Sequence, residues 1–267
     1  MNHRTIILIH GMFQNPVSWD GWVRCLEGEG YSCLAPAWPM HEGDPAALRE
    51  HPPEGLGDLR LDEVVSSLET VVRAQPVPPV GVGHSVGGLI VQLLADRGLV
   101  SLGVSLNGVA SNGAMTMDWD FLKNSARIGN PLKGDEPFFT DPEAFHKLFC
   151  NTMTKQEARE AFDRTAVHDS RNVLRDCMGD SGQIDQDKPH VPLLFISGSE
   201  DIIIPARLVE KNAHAYTDGD SVVDTREFAG RSHFTCGQSG WEHVVDYVGN
   251  WIAKHLPPSP GQGEIQV

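Results

Sequence analysis

The chain has 267 residues, a formal net charge of −15 and 40% hydrophobic residues. The acidic balance opposes binding to nucleic acid or to an anionic membrane surface, and no window is apolar enough to span a bilayer. The length and hydrophobic content suit a single α/β domain with a substantial core.

The cysteines and histidines give no sign of a disulfide framework or a metal centre. The five cysteines are scattered and form no Cys-x-x-Cys pair, which favours free thiols in a reducing compartment. The twelve histidines lack ligand spacing, so we expect neither a metal nor another cofactor. The N-terminus has no signal-peptide features, and we therefore expect a cytoplasmic protein.

Strand-like and helix-like segments alternate in the first part of the chain. Residues 5–9 are continuously apolar, as in a strand that is covered on both faces of a parallel sheet. The pattern then predicts a helix over 19–27, a strand over 31–36 and an amphipathic helix over 59–74. Between these last two, residues 44–57 are rich in proline, glycine and charge, and we expect them to be irregular.

The alternation continues through a strand ending at His84, a helix and a strand over 102–106, and then stops. From about Ser111 to His190 we find helical segments and no convincing strand, which indicates an insertion. The alternation resumes with strands over 192–197 and 221–228, each followed by a helix.

These segments predict a fold and a division of the chain. We expect an α/β fold with a doubly wound, mostly parallel sheet. The core domain would comprise residues 1–110 and 191–256, with a helical cap inserted over 111–190 and a flexible tail over 257–267.

The most informative stretch is Gly83-His84-Ser85-Val86-Gly87, between a predicted strand and a predicted helix. This context is the one that a nucleophile elbow requires. Gly83 and Gly87 leave room for the strand and the helix to converge, so the Ser85 hydroxyl would stand clear of the sheet. The helix that follows offers free N–H groups where an oxyanion would form.

A serine nucleophile needs a base that is itself oriented by a carboxylate. Asp201 and His233 each follow a predicted strand, at the sheet end where the working residues of parallel sheets gather. We therefore predict Ser85, His233 and Asp201 as the catalytic residues, with Glu200 as the substitute acid. Backbone N–H groups of Met12 and Val86 would form the oxyanion hole, while His10 and His84 would have structural roles.

Four motifs together resemble the successive landmarks of the α/β-hydrolase superfamily. They are Ile9-His10-Gly11-Met12, Gly83-His84-Ser85-Val86-Gly87, Gly198-Ser199-Glu200-Asp201-Ile202-Ile203-Ile204-Pro205 and Gly230-Arg231-Ser232-His233-Phe234. The resemblance implies the α/β-hydrolase fold with a helical cap before the strand that bears the acid. One departure is that the chain starts at the first parallel strand, without the usual leading antiparallel hairpin.

Within this superfamily a serine at the elbow indicates acyl chemistry. We expect a serine hydrolase that cleaves a small to medium, largely apolar carboxylic ester or lactone through an acyl-enzyme. The predicted pocket residues are apolar side chains of the strand exits and the cap: Phe13, Trp38, Met115, Phe121, Phe145 and Phe149. The alternatives are a hydroxynitrile-lyase-like enzyme or C–C bond hydrolase with the same triad, and a silent ligand-binding member of the fold.

Overall fold

A computed structural model describes residues 4–111, 126 and 128–256. Its centre is a six-stranded sheet with the strand order β2-β1-β3-β4-β5-β6, in which every pair of neighbours is parallel. The strands are β1 (Thr5–Ile9), β2 (Ser32–Leu34), β3 (Val80–His84), β4 (Leu102–Leu106), β5 (Leu193–Gly198) and β6 (Val223–Phe228). The predicted parallel α/β fold is confirmed.

Helices cover both faces of this sheet. Those of the sheet layers are α1 (Asp20–Gly28), α2 (Pro45–Glu50), α3 (Leu61–Arg73), α4 (Val86–Asp96), α8 (Ala206–His214) and α9 (Glu242–His255). Between β4 and β5 lie α5 (Pro142–Leu148), α6 (Lys155–Thr165) and α7 (Arg171–Cys177). Short 3-10 helices occur at Pro16–Trp19, Leu56–Asp58, Pro131–Lys133 and Asp180–Gly182.

The hydrophobic core lies against strands β3, β4 and β5, and every residue of these three strands is buried. Continuous apolar strands are typical of a sheet covered on both faces. Helix α4 follows β3 and is itself buried along most of its length. The edge strand β6 is partly exposed and carries charged residues, as edge strands commonly do.

The prediction that residues 44–57 are irregular is wrong, because helix α2 lies within them. Asp44 accepts a hydrogen bond from the Ala47 N–H group and Pro45 occupies the first turn, so the helix has a capped start. Its Arg49 guanidinium donates to the carbonyl oxygens of Asp163 and Ala166 at the C-terminal end of α6, both at 2.8 Å. The short helix is thus stabilised largely by contacts distant in sequence.

Side-chain caps fix the starts of α5 and α6. The Asp141 side chain accepts from the Ala144 N–H group, and Pro142 occupies the first turn of α5. Thr154 and Glu157 form a capping box at the start of α6. Across residues 128–190 the structure has one isolated antiparallel bridge, between Phe138 and Asp169, and no named strand.

Candidate active site

Ser85 lies at the sharp turn between β3 and α4, with φ 56° and ψ −120°. A side chain in this left-handed region is strained. The turn is tight because a Cβ atom on Gly83 would lie 2.1 Å from the Gly87 carbonyl oxygen, and one on Gly87 would lie 2.2 Å from that of Ile9. Both glycines are therefore needed for the strand, the helix and β1 to approach one another.

The structure brings the three predicted side chains together. The His233 Nε2 atom lies 3.0 Å from the Ser85 hydroxyl oxygen, and His233 Nδ1 lies 2.7 Å from Asp201 Oδ2. The His233 and Asp201 side chains are fully buried. If Nδ1 carries the proton that Asp201 accepts, Nε2 has a free lone pair directed at the serine hydroxyl.

The Asp201 carboxylate is held by more than the imidazole. Its Oδ1 atom accepts the N–H groups of Ile203 and Ile204 at 2.8 and 2.9 Å. The Asn107 side-chain amide donates to Oδ2 at 2.7 Å. Asn107 follows β4 and has φ 46°, and its side chain is buried beside the carboxylate. Asn107 is not among the residues predicted from the sequence, although its position directly after a buried strand is a usable signal.

The substitute acid Glu200 is exposed and is not placed against His233. Its carboxylate accepts a hydrogen bond from the neighbouring Ser199 hydroxyl at 3.2 Å. Of the two adjacent acids, the structure therefore brings Asp201 to the imidazole.

The two residues predicted to form the oxyanion hole, Met12 and Val86, border the same cavity as Ser85. Val86 is the first residue of α4, and Met12 lies in the loop after β1. Neither N–H group donates a hydrogen bond within the described part of the chain. A helix N-terminus and a free loop amide are suited to bind a developing negative charge.

Histidines 10 and 84 have structural contacts. His10 donates from Nδ1 to the Gly11 carbonyl oxygen at 2.9 Å and accepts the Trp38 N–H at Nε2. His84 Nε2 lies 2.7 Å from the His233 carbonyl oxygen. Burial lowers the pKa of His10 to about 3, with a further contribution from His41, and burial next to His233 lowers that of His84 to about 3. Both rings are therefore neutral at physiological pH.

A cavity of about 40 Å³ adjoins the Ser85 hydroxyl. Apart from Ser85 and His233, every described residue on its border is apolar: Met12, Phe13, Val86, Val109, Ile128, Phe149, Leu174, Ile203 and Ile204. Ile128, Phe149 and Leu174 come from the block between β4 and β5. An apolar wall without a charged group is suited to an uncharged hydrocarbon group.

The predicted pocket residues have different locations. Phe13 and Phe149 border the cavity, whereas Trp38 and Phe145 do not. Trp38 stacks on His10 with ring centroids 4.7 Å apart, and Phe145 stacks on the far side of Phe149 at 5.1 Å. Trp38 and Phe145 are both fully buried, and neither contributes to the described wall of this cavity. Met115 and Phe121 lie outside the described residues.

No arrangement for a metal ion is found in residues 4–111, 126 and 128–256, where no three or more His, Cys, Asp or Glu side chains form a suitable group. Over the same residues, no helix has the length and apolar character needed to cross a membrane.

Comparison with known proteins gives the class to which this fold and site belong. A model of the alpha/beta hydrolase family matches residues 6–246. The chain therefore belongs to the alpha/beta hydrolase family. A search of curated protein sequences found no match.

Solved structures with this fold include several enzymes. A monoacylglycerol lipase of Paleococcus ferrophilus is 19% identical, with a TM-score of 0.71 and 94% of each chain covered. A pyrethroid hydrolase of Sphingobium faniae is 17% identical, with a TM-score of 0.67, over 94% of this chain and 98% of the other. A methylesterase of Arabidopsis is 12% identical, with a TM-score of 0.68, over 94% and 99%. At these identities the likeness establishes the fold alone.

Proposed function

We propose that this protein is a serine hydrolase that cleaves a small to medium, largely apolar carboxylic ester or lactone through an acyl-enzyme. The observation that carries the proposal is the chain of contacts from Asp201 through His233 to the Ser85 hydroxyl, at 2.7 and 3.0 Å. The names of two structural neighbours, a lipase and a methylesterase, agree with ester chemistry.

The proposed reaction begins with nucleophilic attack. The Ser85 hydroxyl adds to the carbonyl carbon of the ester while His233 Nε2 takes its proton. Asp201 stabilises the imidazolium that forms, and Asn107 with the Ile203 and Ile204 N–H groups keeps the carboxylate in place. The carbonyl oxygen becomes an oxyanion, which accepts hydrogen bonds from the Met12 and Val86 N–H groups.

The intermediate then breaks down and the enzyme is regenerated. His233 returns its proton to the leaving alkoxide, which departs as an alcohol and leaves Ser85 acylated. A water molecule, deprotonated by His233, attacks the acyl carbon, and the carboxylic acid is released with the serine hydroxyl restored. No step needs a metal or an organic cofactor.

The block over 111–190 is proposed to act as the cap that closes the acyl site. Ile128, Phe149 and Leu174 from this block border the cavity beside the nucleophile. Because the wall is apolar and the cavity is only about 40 Å³, short uncharged acyl groups should fit best.

The function is tested with aryl esters of increasing acyl length and with several lactones, assayed in a chelator-treated buffer. We expect the wild-type protein to cleave substrates of this panel and Ser85→Ala to cleave none of them. If Ser85→Ala kept the wild-type rate, the hydrolase proposal would be wrong. If no ester or lactone were cleaved while a cyanohydrin was, the proposal would also be wrong and the lyase alternative would be favoured.

A further inference from the structure

We propose that Asp169, paired with His41, is a positioning residue that holds the oxyanion loop in its working conformation. The oxyanion loop is defined here as residues 10–13. This inference rests on the proposed function. It concerns two side chains that the triad does not include and that lie in different parts of the chain.

Phe13 is the strained residue of the oxyanion loop. Its φ of 63° lies in the left-handed region, which an aromatic residue seldom occupies. Such a conformation persists only when its surroundings fix it. Phe13 directly follows Met12, so its backbone helps to set the direction of the peptide group that presents the Met12 N–H.

Both backbone groups of Phe13 are bound by the segment between α6 and α7. The Asp169 Oδ2 atom accepts the Phe13 N–H at 2.9 Å, and the Val167 N–H donates to the Phe13 carbonyl oxygen at 3.1 Å. The other carboxylate oxygen accepts the Ser170 N–H at 2.7 Å. The Asp169 bond also occupies the Phe13 N–H, whereas the Met12 N–H has no hydrogen-bond acceptor among the described residues.

The charge of Asp169 is buried and requires a partner. Its side chain is fully buried, and His41 Nε2 lies 3.4 Å from Oδ2. The His41 Nδ1 atom lies 3.0 Å from the Pro39 carbonyl oxygen. Nδ1 is thus at hydrogen-bond distance from a carbonyl oxygen, while Nε2 lies within ion-pair distance of the Asp169 carboxylate, an arrangement that suits the imidazolium form.

The electrostatic surroundings of His41 agree with a cation. Burial lowers the pKa of His41, but the charge and hydrogen bond of Asp169, the Pro39 carbonyl oxygen and the Glu42 charge together raise the pKa above its ordinary value. A further ionisable neighbour is His10, whose ring centroid lies 5.6 Å away and whose pKa is lowered to about 3, mainly by burial. The pair is thus a neutral unit of opposite charges beside the oxyanion loop.

This pairing matters for catalysis because the oxyanion is also negative. An uncompensated carboxylate one residue from the Met12 N–H would oppose the charge that develops in the transition state. With His41 protonated, Asp169 holds Phe13 without that penalty. Loss of either partner should therefore lower kcat more than it changes KM.

The test compares variants by aryl ester kinetics and by inhibition with a trifluoromethyl ketone, which forms a tetrahedral adduct with an active serine. Asp169→Ala should lower kcat about 10- to 100-fold, which is less than the full loss of an oxyanion donor, and change KM less than threefold. Trifluoromethyl ketone binding should weaken in parallel with kcat. Asp169→Asn keeps an acceptor for the Phe13 N–H and should retain at least a fifth of the wild-type kcat.

A matched control and a double-mutant cycle separate positioning from general destabilisation. Asp176 is a largely buried acid of the same block, but it binds Arg60 and the Leu61 N–H away from the loop. Asp176→Ala should lower the melting temperature and leave kcat near the wild-type value. His41→Gln should lower kcat about tenfold in the wild-type background and less than twofold with Asp169→Asn.

The outcomes distinguish the two proposals. If Ser85→Ala retained ester cleavage, the proposed function itself would fail. If Ser85→Ala were inactive while Asp169→Ala kept kcat and ketone binding unchanged, or lost only what Asp176→Ala loses, Asp169 would have no positioning role. Should Asp169→Ala not fold, the His41→Gln comparison with and without Asp169→Asn decides, and equal effects in both backgrounds would overturn the inference.

Discussion

The Nδ1 atom of His233 and the Oδ2 atom of Asp201 lie 2.7 Å apart, although 32 positions separate the two residues in the sequence. Both side chains are fully shielded from solvent. A buried carboxylate in contact with an imidazole fixes the orientation of the ring, and here the opposite ring nitrogen faces the Ser85 hydroxyl.

Replacement of Ser85 should strongly lower activity while leaving the stability of the fold almost unchanged. We expect Ser85→Ala to lower kcat by at least about 10³-fold with little change in the free energy of unfolding. Ser85→Gly should be equally inactive but more stable than Ser85→Ala by about 1 kcal/mol, because glycine relieves the strain of the φ of 56°. Ester kinetics and urea unfolding measure both effects, and equal stability of the two variants would argue against stored strain.

Replacement of Asp201, the acid that orients His233, should cause a severe but incomplete loss of activity. Asp201→Asn leaves the shape of the site and removes the charge that stabilises the imidazolium, so we expect kcat to fall by about 10³- to 10⁴-fold, with a smaller loss than in Ser85→Ala. Glu200→Gln is the matched control, since Glu200 is exposed, and should behave as the wild type. Loss of activity in Glu200→Gln with an active Asp201→Asn would reassign the acid.

Asn107 should contribute through Asp201. Its side-chain amide donates to the same carboxylate oxygen that contacts His233. Asn107→Ala is expected to reduce kcat about tenfold with a small change in KM, because the carboxylate loses one of its donors and is less firmly oriented. Steady-state kinetics measure this effect. A rise in KM of about tenfold with an unchanged kcat would indicate a substrate-binding role for Asn107 instead.

The buried neutral histidines predict the pH dependence of stability. The pKa of His84 is lowered to about 3 in the folded protein, mainly by burial, whereas the unfolded chain has an ordinary value near 6.5. Below pH 6.5 the unfolded state therefore binds a proton that the folded state does not, and stability falls with decreasing pH until about pH 3. The slope is about 1.4 kcal/mol per pH unit for each such histidine.

Urea unfolding at pH 7.5, 6.0 and 5.0 measures this slope. His10 should contribute in the same direction, since its pKa is lowered in the same way. In His84→Gln the loss of stability between pH 6.0 and 5.0 should be smaller than in the wild type by about 1 kcal/mol. An unchanged slope would mean that the His84 ring is protonated in the folded state.

Chain length of the acyl group should control the rate. The cavity beside Ser85 measures about 40 Å³ and has an apolar wall, so acetyl and butyryl aryl esters should have a higher kcat/KM than dodecanoyl esters. Leu174→Ala removes part of that wall and should shift the preference toward longer chains. If the wild type and Leu174→Ala had the same preference for acyl chain length, the acyl group would not bind in this cavity.

The sheet and the elbow could be predicted from the sequence because their signals are local. Strands β1, β3, β4 and β5 are short runs of mainly apolar and small residues, and the glycines on either side of Ser85 indicate that backbones approach closely there. Asp201 and His233 could be assigned because the ends of parallel strands converge at one edge of the sheet.

The remaining features depend on contacts between distant segments. Helix α2 is short and polar, and its Arg49 is bound by α6, more than 100 residues away. Asp169 lies 156 positions from Phe13 and has no motif around it, so its hydrogen bond could not be read from the chain. Trp38 was predicted at the pocket because it follows a strand, and Phe145 because the block over 111–190 is rich in apolar residues, but neither signal reveals which side chains border a cavity.

Trapping the acyl-enzyme tests the proposed chemistry most directly. The protein is mixed with a slowly deacylated aryl ester, quenched in acid and analysed by intact mass and peptide mapping. We predict one acyl group per chain on Ser85, formed with a burst of phenol, and no adduct in Ser85→Ala. Steady ester turnover with no adduct on Ser85, or with the acyl group on another residue, would contradict a serine nucleophile at this position.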